Sequence, residues 1–366
     1  MKKFNLKSKI SNAVSKMSGY VPGEQPDSSG WIKLNTNEFP YPPSPKVVEA
    51  IAKEVGANGA SLRLYPSPTS AKLREQLAKY YNLPKEYAFG ANGSDDVLNL
   101  VIRAFADDKK SIATLDPSYS LYPVLAKIQG ANFIKIPFKK NLEIDFEKVK
   151  NCKANVFFFT NPNAPTGFGF PIEVVEKIVS EFDGLVLVDE AYSPFASYSA
   201  TSLVKKYPNL IVTGTSSKGW GLAGMRIGWA MANPEIIEVL DRVRDSYNLD
   251  RLAQVAGVAA LSDKKYYAEK RKEILSERTK TEEFFDSLGW QYYKSSTNFI
   301  FFRPKRDGKS SAEIAKNLFE FLRSKKILLR YFASEKSVCD GIRLSIGTPA
   351  QMASFKKAVL KWSKGK

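Results

Sequence analysis

Three apolar runs in the middle of the chain each lead to a polar residue, and the interval between those residues is nearly constant. Val156–Thr160 (VFFFT) runs into Asn161, Leu185–Val188 (LVLV) runs into Asp189, and the run beginning at Leu210–Thr213 reaches Lys218 through LIVTGTSSK. The steps are 28 and 29 residues, about the length of one βαβ unit. Short runs that are apolar at every position and bounded by turn residues read as parallel strands buried on both faces. Ile112–Leu115, which precedes Asp116-Pro117, is a further run of this kind, and helical patterns such as Ile172–Glu181 lie between. Strand and helix in alternation predict an α/β domain with a mostly parallel central sheet. One repeat per step then sets Asn161, Asp189 and Lys218 together at the carboxyl edge of that sheet, where open α/β sheets bind ligands.

A chain of 366 residues is too long for one simple core, and its last hundred residues change character. Tyr266–Leu288 reads as a long charged helix and Asn298–Arg303 (NFIFFR) as a strand. Ile314, Leu318, Phe321 and Leu322 make one helical stripe, followed by apolar segments at 327–332 and 341–348. A smaller α+β domain is expected there, with the boundary near Asp250–Asp263.

Several chemistries are excluded by what the chain lacks. There is no histidine, so a Ser-His or Cys-His pair, a histidine metal site and a histidine base are all ruled out. Cys152 and Cys339 are the only cysteines. Far apart and outside any Cys-x-x-Cys pair, they argue against a disulfide framework or zinc and fit a reducing cytoplasm. No metal is expected. No apolar run is long enough to cross a bilayer, and the basic N-terminus lacks the apolar core of a secretory signal. The net charge of +17 is spread along the chain, which suits steering of small anions rather than a nucleic-acid tract.

A lysine, an aspartate and an asparagine at one sheet edge suit a carbonyl-bearing cofactor with a basic ring nitrogen. The lysine amine forms a Schiff base with an aldehyde, and the aspartate holds a pyridine nitrogen in its protonated form. Opposite charges ~4 Å apart at an effective dielectric of ~20 gain about 4 kcal/mol, or roughly three pKa units before desolvation. Singly, each residue also reads as a cap, a turn former or a surface group; the ordered spacing is what points to chemistry. Ser94 and Asp95, in Asn92-Gly93-Ser94-Asp95, open a helical pattern whose free N–H groups suit a phosphate, with Ser94 as N-cap. Ser217 and Arg226 could add a hydroxyl and a guanidinium. Tyr119 lies past another strand, placed to stack on a flat ring. Arg343 alternates out of the apolar GIRLSIG, and Arg330 out of ILLRYF, as a carboxylate or phosphate clamp would require.

The runs NPNAPTG (161–167), VDEAYSPF (188–195) and SSKGWGLAGMRIGW (216–229) resemble pyridoxal-phosphate-dependent aminotransferases of fold type I. YVPGEQ (20–25), IKLNTNEFPYPPSP (32–45), LRLYPSP (62–68) and ANGSDD (91–96) are similar to the histidinol-phosphate aminotransferase branch. The resemblance runs from about residue 19 to 348. It implies a large domain with a mostly parallel central sheet over 44–258, a small α+β domain over 259–366, and an arm over 1–43 that joins the small domain and a dimer contact. It implies pyridoxal 5'-phosphate as cofactor, with Lys218 as Schiff-base lysine and proton-transfer base, Asp189 on the pyridine nitrogen, and Asn161 and Tyr192 on the ring hydroxyl. Tyr119 would stack on the ring, while Ser217, Arg226 and the amides of Ser94 and Asp95 would hold the phosphate. Tyr65 would reach that phosphate from the second subunit of a cytoplasmic homodimer. Tyr20, Asn37, Arg330 and Arg343 would face the substrates, a small-molecule amino donor and a 2-oxo acid. The implied reaction is L-histidinol phosphate plus 2-oxoglutarate to imidazole acetol phosphate and L-glutamate. Aromatic amino acid transamination or threonine-phosphate decarboxylation on the same fold is the neighbouring reading, and a pyridoxal-phosphate-sensing regulator is the non-enzymatic one. Phe39, Ala91, Asp96, Gly214 and Ser216 depart from the family's usual residues.

Overall fold

A computed structural model describes residues 4–15 and 17–365. A short strand, β1 (Ile32–Lys33), precedes seven strands of one sheet: β2 (Ala88–Ala91), β3 (Ile112–Asp116), β4 (Phe133–Pro137), β5 (Val156–Thr160), β6 (Leu185–Asp189), β7 (Leu210–Thr215) and β8 (Gly228–Ala232). Their order is β2-β8-β7-β6-β5-β3-β4. Only β8 runs against its neighbours, so the sheet is mostly parallel. β5 and β7 are buried at every residue, which is why they read as continuous apolar runs rather than alternating ones.

Register places the chemistry. Thr160 pairs with Asp189, and Asp189 with Thr213, so β5, β6 and β7 end at one level. The chain leaves β7 directly into the short helix Ser216–Gly219, which carries Lys218. Glycines permit two close approaches here. A Cβ on Gly214 would sit 2.5 Å from the Trp229 indole, and one on Gly228 would sit 2.2 Å from the backbone of Gly93. Gly214 is therefore required by the indole packed over β7.

The remaining strands are β9 (Gln291–Tyr292), β10 (Phe299–Arg303), β11 (Ile327–Leu328), β12 (Arg330–Tyr331) and β13 (Ile342–Ser345). β12-β13-β10-β9 form an antiparallel sheet, and β11 pairs in parallel with β1. The helix Lys264–Ser287 and the helix Pro349–Ser363 pack with this sheet around Phe285, Phe302, Phe355 and Trp290. Through β1 the N-terminal segment is hydrogen-bonded to the small sheet's side of the molecule. Among the described residues no helix is long and apolar enough to cross a membrane.

Candidate active site

A cavity of about 290 Å³ opens above the ends of β5, β6 and β7, walled on the far side by β12 and β13. Its floor is Asp189, which is buried. The Tyr122 hydroxyl lies 2.7 Å from its Oδ2, and the Ala191 N–H donates to its Oδ1 at 3.1 Å. Burial pushes this carboxyl up to about 6, although both donors pull it down. Above it stands Lys218, whose Nζ donates to the Thr36 carbonyl at 2.8 Å. Burial and then the Arg343 charge lower this amine to about 8, so about one molecule in ten carries a neutral lysine at pH 7.

The phosphate end is built from backbone. Gly93, at φ 86°, caps the helix Ser94–Phe105, and Ser94 is its first residue. Ser94 is thus not the N-cap expected from the sequence; the left-handed turn needed a glycine one position earlier. Arg226 crosses this turn, since a Cβ on Gly93 would meet its guanidinium at 2.5 Å. The guanidinium lies 3.6 Å from the Asp95 carboxylate. Ser94, Asp95, Ser217 and Arg226 all line the cavity. An α-helix start, a hydroxyl and a guanidinium at one end, a buried carboxylate at the floor and an amine of lowered pKa between them fit a flat aldehyde-bearing ring with a phosphate arm.

At the opposite wall, Arg330 on β12 is the direct cross-strand partner of Arg343 on β13. Neither has a carboxylate partner among the described residues. Arg343 donates to the Asn35 carbonyl at 2.9 Å, and its Nε is buried without a partner. Arg330 makes only long hydrogen bonds, 3.4 Å, to the carbonyls of Val21 and Pro22, and its guanidinium lies over the Phe332 ring. Like charges placed directly opposite are unfavourable in a sheet, so the pair is arranged to receive an anion. Tyr20 lines the same wall with its ring edge-on to Tyr119.

The other expected residues divide. Tyr119 and Tyr192 line the cavity. Asn161 does not. Its Nδ2 donates to the Phe170 carbonyl and lies 2.5 Å from the Tyr198 hydroxyl, and its Oδ1 accepts from the Phe170 N–H. It shapes the loop, and Ala164 and Pro165 are the residues of that motif lining the cavity, Ala164 beside Tyr192. Asn37 is 1% exposed and outside the lining, bound to Tyr192 and Ser345. Phe39 is also turned from the cavity, packed against Tyr41 and Tyr267. Tyr65 is 76% exposed and stacks on Tyr247, away from its own chain's cavity. Sequence reasoning missed Tyr122, three residues beyond Tyr119 in DPSYSLYP and first in the helix Tyr122–Gln129, and the Thr36 carbonyl. It also missed Glu335, a lining carboxylate between the two arginine strands.

The family model of class I and II aminotransferases matches residues 29–359. The histidinol-phosphate aminotransferase of Geobacter sulfurreducens is 45% identical over 341 residues, covering 93% of this chain and 95% of its own. That of Geotalea daltonii is 44% identical, covering 94% and 96%. In fold, the crystal structure of histidinol-phosphate aminotransferase from Sinorhizobium meliloti in complex with pyridoxal-5'-phosphate superposes with a TM-score of 0.82 at 24% identity, covering 91% of each chain.

Proposed function

The chain belongs to the class I and II aminotransferases and, within them, to the histidinol-phosphate aminotransferases, and from that premise we propose that it transfers the amino group of L-histidinol phosphate to 2-oxoglutarate, giving imidazole acetol phosphate and L-glutamate. The observation that carries this reading is the Arg330–Arg343 cross-strand pair across the cavity from Lys218. The two substrates share no side chain, but both carry an anionic group. One clamp of two guanidiniums can receive the phosphate of the donor and then a carboxylate of the acceptor.

Bound pyridoxal phosphate supplies an aldehyde carbon and a protonated ring that takes up the electron pair released at the substrate's α-carbon. The chain's own residues do the rest. Lys218 would hold the cofactor through its amine, and Nζ, once free, would move the proton to and from the substrate's α-carbon. The Thr36 carbonyl holds that amine over the floor. Asp189, ionised near neutral pH, would keep the ring nitrogen protonated. Tyr192 would donate to the ring oxygen and Tyr119 would cover the ring. Ser217, Arg226 and the start of the helix at Ser94 would hold the phosphate arm. Tyr65, exposed and far from its own cavity, is assigned to the neighbouring site of a homodimer, and a cytoplasmic location suits the substrates. The N-terminal arm (1–43), a large domain (44–258) and a small one (259–366) are the working division.

The test is the visible absorbance of the cofactor-loaded protein as an amino donor is added without a 2-oxo acid. L-histidinol phosphate should bleach the lysine-bound chromophore at lower concentration than phenylalanine or threonine phosphate. A lower requirement for phenylalanine, or carbon dioxide release from threonine phosphate, would replace the substrate assignment. Light scattering at working concentration reads the dimer.

A further inference from the structure

Tyr192 lines the cavity beside Ala164 and Pro165, which have no polar side chain, while Asn161 is committed elsewhere. What decides whether its phenol donates or accepts there is a chain of bonds behind it. The Asn37 N–H donates to Ser345 Oγ at 2.9 Å. The Ser345 hydroxyl proton is therefore free to go to Asn37 Oδ1, also at 2.9 Å. That fixes which end of the Asn37 amide faces which neighbour. Its Nδ2 faces Tyr192 and donates to the phenol oxygen at 2.8 Å. The phenol oxygen accepts on that side, and its own proton has no acceptor among the described residues. The cavity is where it can go.

We propose that Asn37 is a positioning residue that sets the direction of the Tyr192 hydroxyl, so that the phenol donates to the oxygen of the bound cofactor ring. The relay spans three parts of the chain: Ser345 on β13, Asn37 in the N-terminal segment, and Tyr192 beyond β6. The Asn298 side chain fixes the Asn37 carbonyl at 3.0 Å, and Asn37 sits at φ 57°, where asparagine and aspartate are the non-glycine residues most easily placed. Arg343, Asp189, Lys218, Tyr20 and Tyr119 are the charged or titratable groups around the phenol. None of them accepts its proton.

The test rests on the cofactor and on no amino donor, so it stands whichever substrate is correct. Asn37→Asp keeps shape and backbone conformation but replaces the donor by an acceptor. The phenol then turns its proton towards residue 37 and away from the ring. A donor to the ring oxygen favours the unprotonated lysine-bound chromophore, so its loss raises the pH at which that chromophore's visible absorbance titrates. The expected rise is about one unit, tenfold in the equilibrium. Tyr192→Phe should raise the midpoint similarly, and adding Asn37→Asp to Tyr192→Phe should add little. Ser345→Ala, which frees the amide to turn over, should give a smaller rise in the same direction and decides the matter if Asn37→Asp does not fold. An unmoved midpoint in these variants overturns the proposal. So does a shift of full size when Asn37→Asp is made in the Tyr192→Phe protein, which would show a plain charge effect rather than a relay.

Discussion

Replacing Tyr122 by Phe isolates the tuning of Asp189. The ring is fully buried, edge-on to Phe158 at 4.9 Å and to Tyr119 at 5.5 Å, so phenylalanine fills the same space and leaves no cavity. The loss is one hydroxyl, 2.7 Å from the Asp189 carboxylate. Thr160 Oγ1, also 2.7 Å from that hydroxyl, keeps Ser118 Oγ at 2.9 Å. A hydrogen bond to a charged group contributes about 1.5–3 kcal/mol, which is roughly 1–2 pKa units. Asp189, held at about 6 by burial against that bond, should then titrate near roughly 7–8. Pairing with a protonated ring nitrogen needs the ionised carboxylate. The variant should therefore bind pyridoxal phosphate about 2–10-fold more weakly than the parent at pH 7 and equally well near pH 9. Equilibrium titration across that range measures it. Taking the ratio of the two proteins cancels the titration of the cofactor's own phosphate. A ratio that is the same at every pH would refute the reasoning, because it would mean that the hydroxyl acts through packing alone.

Lys218→Ala should abolish turnover and the covalent chromophore, both read from one absorbance and rate experiment. Lys218 is depressed to about 8 by burial. Between about pH 8 and the unfolded value near 10.5 the unfolded chain binds more protons, so the cofactor-free parent should gain stability relative to Lys218→Met as pH rises through that window, as chemical denaturation at pH 8 and pH 10 would show. Asp189→Asn should cost more in kcat than in cofactor affinity, since it removes the charge and keeps the shape; equal losses would mean that Asp189 only holds the ring. Arg330→Met removes one of two opposed guanidiniums. It should leave the stability of the unliganded protein unchanged or higher by up to ~1 kcal/mol, while raising KM for amino donor and 2-oxo acid together.

The large sheet was legible because its strands are buried on both faces. VFFFT and LVLV carry no alternation to misread, and the near-equal spacing of 161, 189 and 218 is set by the length of a βαβ step, which hardly varies. That argument places backbone, and it places Asp189 and Lys218 because the register brings their strand ends level. It does not say where a side chain turns after a strand has ended. Asn161 follows β5 as the spacing requires, yet Phe170, nine residues on, captures both ends of its amide. The same limit applies to Asn37, whose motif lies beside the cavity while its side chain is drawn behind Tyr192 by Ser345, 308 residues away. Contacts at that separation leave no periodic trace. They also carry the proton direction at Tyr192 and the seat of Lys218 on the Thr36 carbonyl. Motifs thus name the groups that meet the ring, and the segments that aim those groups come from parts of the chain with no signature of their own.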